Sequence, residues 1–382
     1  MPQHDPGPSG EHWQPHGRHA PPSWRAALGL AAAGAALWGL LACATPAAEN
    51  LWYACLATAD AHFDAARWDE AQGLYRDLLA TAPREPLRPY LHFQLAEIAR
   101  HQGARADAAA HYALLAEYPG PDDAYPAKAR LALAAMAEED AGPDAALPAY
   151  EAVIVGAPES AAARHALRWL DDYDGARQQP AVALQRRADL YAALHHTALA
   201  PRLALDMANL LGDALHDPDG AGQLLLQALH NHPVSPLRAR MIWRLADMAE
   251  AAGDEEAALQ ALDVLAREHD TSWSLGEYDS PLRHQAMRRR AEILAGRGAL
   301  EAAIAEYDRL LRAYPQHSQR ARFAEARARL IAASGDDARH RAALQDIIAA
   351  HPDSGAARRA QAHLRGDAAT TPDTHPPPRE AP

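Results

Sequence analysis

The sequence predicts an all-α repeat chain of about eight helix–turn–helix units closed by a short capping helix. Three observations predict it. One residue phrase recurs in phase, turn-forming residues bracket each occurrence, and no segment reads as strand-rich. The phrase is a small residue, an aromatic or leucine four on, an aliphatic or alanine seven on, and a proline twelve on. Ala71-Tyr75-Leu78-Pro83, Ala146-Tyr150-Val153-Pro158, Ala221-Leu225-Ala228-Pro233 and Ala303-Tyr307-Leu310-Pro315 show it in full. Ala108-Tyr112-Leu115 has its proline one residue early, at Pro119. Ala258-Leu262-Leu265 ends in Asp270, and His340-Leu344-Ile347-Pro352 loses the alanine. These phrases begin 37, 38, 75, 37, 45 and 37 residues apart. One repeat, around Ala183, is therefore degenerate, and one is lengthened by an insert near residues 270–280.

Offsets of four and seven put three side chains on one helix face. The small residue lets a neighbouring helix approach, the aromatic fills the space between helices, and proline ends the second helix. Gly103-Ala104-Arg105, Gly253-Asp254 and Gly298-Ala299 precede the phrase as turns. Before those turns lie amphipathic stretches such as Leu237–Ala252 and Leu282–Ala295. The capping helix falls near Ala356–Leu364.

The segments GRGALEAAIAEYDRLLRAYP (296–315), AAGDEEAALQALDVLAREH and AARWDEAQGLYRDLLATAP resemble tetratricopeptide repeats, and the resemblance covers residues 51–365. It implies a right-handed superhelix whose concave groove, lined by the first helix of each pair, binds partner proteins or peptides. The period exceeds the family's ~34 residues, so some helices are expected to be extended.

The composition excludes several classes. The chain has 382 residues, 49% hydrophobic and 6% aromatic, with 37 basic and 50 acidic side chains and a net charge of −13. That balance disfavours nucleic acid as a partner, because a nucleic-acid binder needs a basic stripe. Cys43 and Cys55 are too few for a disulfide framework or a four-thiolate zinc site. Nucleophile, zincin, P-loop and dinucleotide motifs are all missing, so no enzyme activity and no cofactor are expected. Adjacent His195 and His196 point apart on a helix. His230 and His232 sit at a helix end before Pro233, where they complement the dipole. Glu138-Glu139 and Glu255-Glu256 read as solvated faces or first-turn dipole partners.

The N-terminus gives an address. Arg18 and Arg25 precede a run without ionisable groups, Ala26–Ala42, which ends at Cys43. Leu40-Leu41-Ala42-Cys43 resembles a bacterial lipobox, which implies cleavage before Cys43, lipidation of that cysteine, and membrane anchoring facing the periplasm. Ala44 by the same resemblance favours the outer membrane. Two other readings stay open: an uncleaved anchor extending to Ala48, and ordinary cleavage near Ala47 or Ala48. The organisation is thus signal 1–43, linker 44–50, repeats 51–365, and a Pro-rich tail 366–382 that lacks apolar residues to fold.

Candidate partner-binding residues follow from the groove. On helix 237–252 the packing stripe reads Ile242, Leu245, Ala246, Ala249, and the other face Arg240, Trp243, Arg244, Asp247. One repeat on, Arg288 and Arg289 take the places of Trp243 and Arg244, so the patch suits an acidic or C-terminal peptide. Tyr90 and Phe93, with Glu97 and Arg100, hold similar places near the N-terminus. Trp273 and Tyr278 lie in the insert, either as a loop on the binding face or as filler between imperfectly stacked repeats. The chain as a whole resembles repeat lipoproteins of outer-membrane protein assembly and of cell-envelope coordination. A secretion or exopolysaccharide-export accessory anchored at the inner membrane is the alternative, as is a helical domain serving an envelope enzyme.

Overall fold

The computed structural model describes residues 46–81, 87–118, 124–267, 269–272, 276–279 and 282–366. Among these residues are seventeen α-helices, arranged as eight hairpins and one closing helix. The first helices of the hairpins are α1 (Pro46–Asp64), α3 (Arg88–His101), α5 (Ala124–Ala141), α7 (Ala161–Arg177), α9 (Ala200–Asn209), α11 (Arg238–Ala251), α13 (Arg283–Gly296) and α15 (Arg320–Ala333). The second helices, which carry the phrase, are α2 (Trp68–Ala80), α4 (Arg105–Ala116), α6 (Pro143–Gly156), α8 (Pro180–Leu194), α10 (Pro218–Asn231), α12 (Glu255–Arg267), α14 (Leu300–Ala313) and α16 (Asp337–Ala350). Helix α17 (Gly355–Arg365) closes the series. The chain divides into two compact units, residues 1–108 and 109–382.

The phrase residues are the core. In the first unit Ala71, Tyr75 and Leu78 are buried beside Leu91, Leu95 and Ile98 of α3. In the second unit Tyr150 and Val153, Leu225 and Ala228, Leu262 and Leu265, and Tyr307 and Leu310 are buried in successive small clusters. A chain of local clusters, rather than one centre, is what a repeat with nearest-neighbour contacts produces.

Each hairpin turns through one left-handed residue. Glycine supplies it in five turns, as at Gly253 and Gly298 with φ of 76° and 77°. There the N–H of Ala299 reaches back to the carbonyl of Leu294 at 2.9 Å, closing the end of α13. In the other three turns Ala66, Gln178 and His216 hold φ of 54°, 52° and 56°, a conformation that side chains with a Cβ adopt at a cost. Pro158, Pro233, Pro315 and Pro352 each follow a phrase helix by two residues. Ser160 and Ser354 then cap α7 and α17, accepting from Ala163 and Ala357 at 3.0 Å.

Three expectations are revised. Helix α1 begins at Pro46, so residues 46–50, read as linker, open the first helix. The insert is not plain loop: β1 (His269–Ser272) and β2 (Gly276–Asp279) form a short antiparallel ribbon, with Asp270 opposite Tyr278. Thr271 and Tyr278 favour a pleated backbone, and the segment has no helical periodicity to oppose it. The degenerate repeat keeps the phrase with two changes, one of them His195 in the place of the proline. Ala183, Arg187 and Leu190 are all buried in α8, with arginine at the aromatic position.

Candidate functional site

The substitution of arginine for an aromatic organises a polar cluster in the second unit. Arg187 is 3% exposed. Its guanidinium meets Asp174 at 2.5 Å and Asp171 at 2.8 Å, both on α7. Arg186 pairs with the same Asp174 and with Glu151 of α6 at 3.0 Å. From α9, Arg202 binds Asp171 at 2.9 Å and Asp206 at 2.7 Å. Three arginines thus tie α6, α7, α8 and α9 through four carboxylates. A buried cation of this kind needs such company, since an unpaired one is far costlier than an apolar residue.

Beside Arg187 lies a cleft of about 580 Å³, walled by Asp171, Asp174, Gln178, Asp206, Asn209 and Asp213. Its far wall is a π-helical turn, Leu210–Ala214, that continues α9. Such turns re-aim side chains by inserting a residue into the helical ladder. Here Asp213 meets Arg244 of α11 at 2.5 Å. Burial pushes the Asp206 carboxyl up to about 6, Arg202 pulling it back and Asp171 adding to the rise.

The sign of that shift gives a pH prediction. A carboxyl raised in the folded state stabilises the fold fully below its ordinary pKa, and that contribution is lost as pH rises through about 6. The stability of the wild type relative to Asp206→Asn should therefore rise by about 2–3 kcal/mol between pH 7 and pH 4. Urea midpoints of both proteins at the two pH values test it. An unchanged difference would show that Asp206 titrates as a solvated group.

On the other side of α7 an aromatic stack fills the space to α6. Trp169 lies 3.8 Å from Tyr150 and 5.2 Å from Tyr173, all three near-parallel. The Trp169 indole and the Tyr150 hydroxyl both donate to Glu138 of α5, at 2.8 and 2.9 Å. Arg177 covers the outer face of Tyr173 at 3.5 Å and binds Asp144 in the first turn of α6. That clasp recurs: Arg297 grips Glu255 and Glu256, and Arg339 grips Glu301. First-turn acids of the phrase helices therefore satisfy their own helix dipole and hold a later turn or helix at once.

The groove residues predicted from sequence come partly together. Trp243 is half-buried on α11 with the Arg289 guanidinium 5.0 Å from its ring centroid. Arg289 is held by Asp247 at 2.5 Å and Glu250 at 2.6 Å, and Arg244 by Asp213. Arg288 meets Glu292 of its own helix at 3.5 Å. Arg240 is exposed and makes no ion pair among the described residues. Arg244 and Arg289 act first as pins between repeats, with their charge balanced by carboxylates. Met241 is fully buried on the packing stripe, which the sequence reading did not include. In the first unit Tyr90 is half-buried and donates to Asp60, as does Tyr75 at 2.8 Å. Burial, reinforced by Asp60, pushes the Tyr90 hydroxyl up to about 12. Phe93 lies half-buried on the same helix. Cys55 packs half-buried into the cluster around Trp52. Cys43 and Trp273 lie outside the described residues, and of Tyr278 only the strand position is described. Among the described residues no group of His, Cys, Asp or Glu is placed to hold a metal. No helix among them is long and apolar enough to cross a membrane, and the run Ala26–Ala42 lies outside them.

Helical hairpins recurring at a period near 37 residues, most with a small residue, an aromatic or leucine and an aliphatic or alanine on one face, define a helical repeat protein. The tetratricopeptide repeat family model matches residues 56–124, 205–272 and 273–318, and the fold is an all-α one of that repeat type. Several solved structures are similar. The tetratricopeptide-like repeats of a putative kinesin light chain from Podosopora anserina share 18% identity, over 52% of this chain and 96% of that one, with a TM-score of 0.36. A STAND signal-transduction ATPase with a tetratricopeptide repeat sensor, from Pyrococcus horikoshii, shares 14% over 78% of this chain and 46% of that one, with a TM-score of 0.41. A tetratricopeptide repeat protein from Parabacteroides merdae shares 15% over 73% and 97%, with a TM-score of 0.31. No curated protein sequence matches the chain significantly.

Proposed function

We propose that this chain is a non-catalytic scaffold of the bacterial cell envelope, anchored by lipid at Cys43 and facing the periplasm from the outer membrane, where it binds partner proteins or peptides. The repeat supports the scaffold part. Its helices are pinned from one hairpin to the next by arginine–carboxylate pairs, which makes a pre-organised surface of the kind that binds with little ordering cost. The address is supported by sequence alone: the basic flank, the apolar run Ala26–Ala42, and the cysteine that ends it.

Lipidation is directly testable. The wild type should take up a fatty-acid analogue and sediment with membranes. Cys43→Ala should take up no label and appear as a soluble form or an uncleaved precursor. Several acyl chains hold far better than a single marginal one, so the shift in fractionation should be complete. A wild type that takes no label and keeps its first 42 residues by mass spectrometry would replace the lipid with an uncleaved anchor. Crosslinking in intact envelopes, with the captured proteins identified, tests the scaffold part.

A further inference from the structure

One patch reverses the charge of the chain. Arg267, at the end of α12, Arg290 of α13, and Arg309 and Arg312 of α14 converge on a cleft of about 530 Å³. The protein as a whole carries −13. Among the described residues two carboxylates lie within reach. Asp263 takes Arg267 at 2.7 Å and Arg290 at 2.5 Å. Glu306, 1% exposed, takes Arg290 at 3.1 Å and Arg309 at 2.6 Å. Among the described residues, four guanidiniums face these two carboxylates, an excess of two positive charges. Arg283, which donates to the Ala266 carbonyl at 3.0 Å, lines it too and is not counted.

The unbalanced charge sits where a ligand can reach it. Arg312 is exposed and makes no ion pair among the described residues, and Arg309 is 50% exposed. The floor is short of hydrogen bonds: among the described residues the Arg290 Nε has no acceptor, and the Glu306 Oε2 has no donor. Between the guanidiniums the walls are Ala266, Met287 and Ala313.

We propose that this cleft binds a short acidic segment of a partner protein, two or more carboxylates flanking an apolar residue. The proposal deepens the scaffold reading and rests on it. Guanidinium forks hold carboxylates in charge-assisted pairs, and the alanine and methionine walls accept an aliphatic side chain. The ligand is short because a cleft of about 530 Å³ admits only a few side chains.

Fluorescence anisotropy with the labelled peptide Glu-Glu-Leu-Glu-Glu tests the assignment, with Lys-Lys-Leu-Lys-Lys as the control ligand. The acidic peptide should bind saturably, more weakly as salt rises, and the basic one should not. Arg309→Gln combined with Arg312→Gln should weaken binding about tenfold or more. Arg312→Gln alone, which disturbs no ion pair, should give a measurable part of that loss while leaving the melting curve unchanged. Arg341→Gln combined with Arg358→Gln removes the same charge elsewhere and should leave affinity within about twofold. No saturable binding, or an equal loss in that control, overturns the proposal. So does tighter binding of inorganic polyphosphate or single-stranded DNA, which would assign the cleft to phosphate. If crosslinking captures the same envelope partners with wild type and the Arg309/Arg312 double variant, the cleft proposal falls while the scaffold reading stands.

Discussion

Arg187→Leu should destabilise the second unit by about 3–5 kcal/mol, although leucine is the residue that fills the same position in three other repeats. Tyr75, Tyr112, Tyr150 and Tyr307 hold that place elsewhere, and Leu225, Leu262 and Leu344 hold it in the rest. By the phrase alone the change looks like a repair. The surroundings reverse the expectation. Asp174 is 10% exposed and Asp171 33%, and each turns a carboxylate oxygen toward the Arg187 guanidinium. Removing the cation leaves Asp174 dependent on Arg186 and deprives Asp171 of one of its two partners. The loss is therefore the penalty of stranded carboxylates rather than the worth of one pair. Combining Arg187→Leu with Asp171→Asn and Asp174→Asn should recover most of it, because polar neutral groups cost far less to bury than charges. Urea unfolding followed by tryptophan fluorescence, to which Trp169 on the same helix contributes, reads both variants. Since repeats unfold piecemeal, hydrogen exchange in α7 and α8 is the stricter measurement. A single variant as stable as wild type would mean that the cluster is solvated and that Arg187 is only a long apolar stem.

This cluster marks how far the sequence could be read. The fold was legible because its determinants are local and periodic: Ala, Tyr and Leu at fixed offsets, glycine before, proline after. Each repeat restates the signal, so a missing alanine at His340 or a missing proline at Asp270 does not hide it. The site was less legible because it is made where the pattern is broken. Continuing the period from Ala146 lands on Ala183, and the phrase then reads Ala183-Arg187-Leu190. An arginine at a buried offset demands carboxylates, and Asp171 and Asp174 stand three apart on the preceding helix. That much was available in the residues. The π-helical turn that carries Asp213 to Arg244 was not, because no residue pattern there separates it from an ordinary helix. Nor was the pairing of Arg289 with Asp247 and Glu250, which depends on how adjacent hairpins meet. Arg244 and Arg289 lie on α11 and α13, but their carboxylate partners lie one repeat away, across a distance that sequence offsets do not encode.

Ala303→Glu is expected to cost about 4–5 kcal/mol, and Ala302→Glu, one residue away, less than about 0.5 kcal/mol. Ala303 is fully buried at the small position of α14, where a methyl group lets the neighbouring helix approach. A glutamate there brings four extra heavy atoms and a charge into a dry contact. The same helix shows what a buried carboxylate requires. Glu306, three residues on and 1% exposed, is held by Arg290 and Arg309, and even so burial raises its pKa. No such pair of guanidiniums meets the Ala303 position, so the new carboxyl would take up a proton or force α13 and α14 apart. Ala302 is exposed, and its replacement adds an acid to the first turn of the helix, where the dipole favours it. Thermal melts of the two variants should differ by many degrees, with the loss in Ala303→Glu confined by hydrogen exchange to α13, α14 and their immediate neighbours. Equal melting temperatures for the two would mean that the phrase does not set the packing face, and the repeat register built on it would fall.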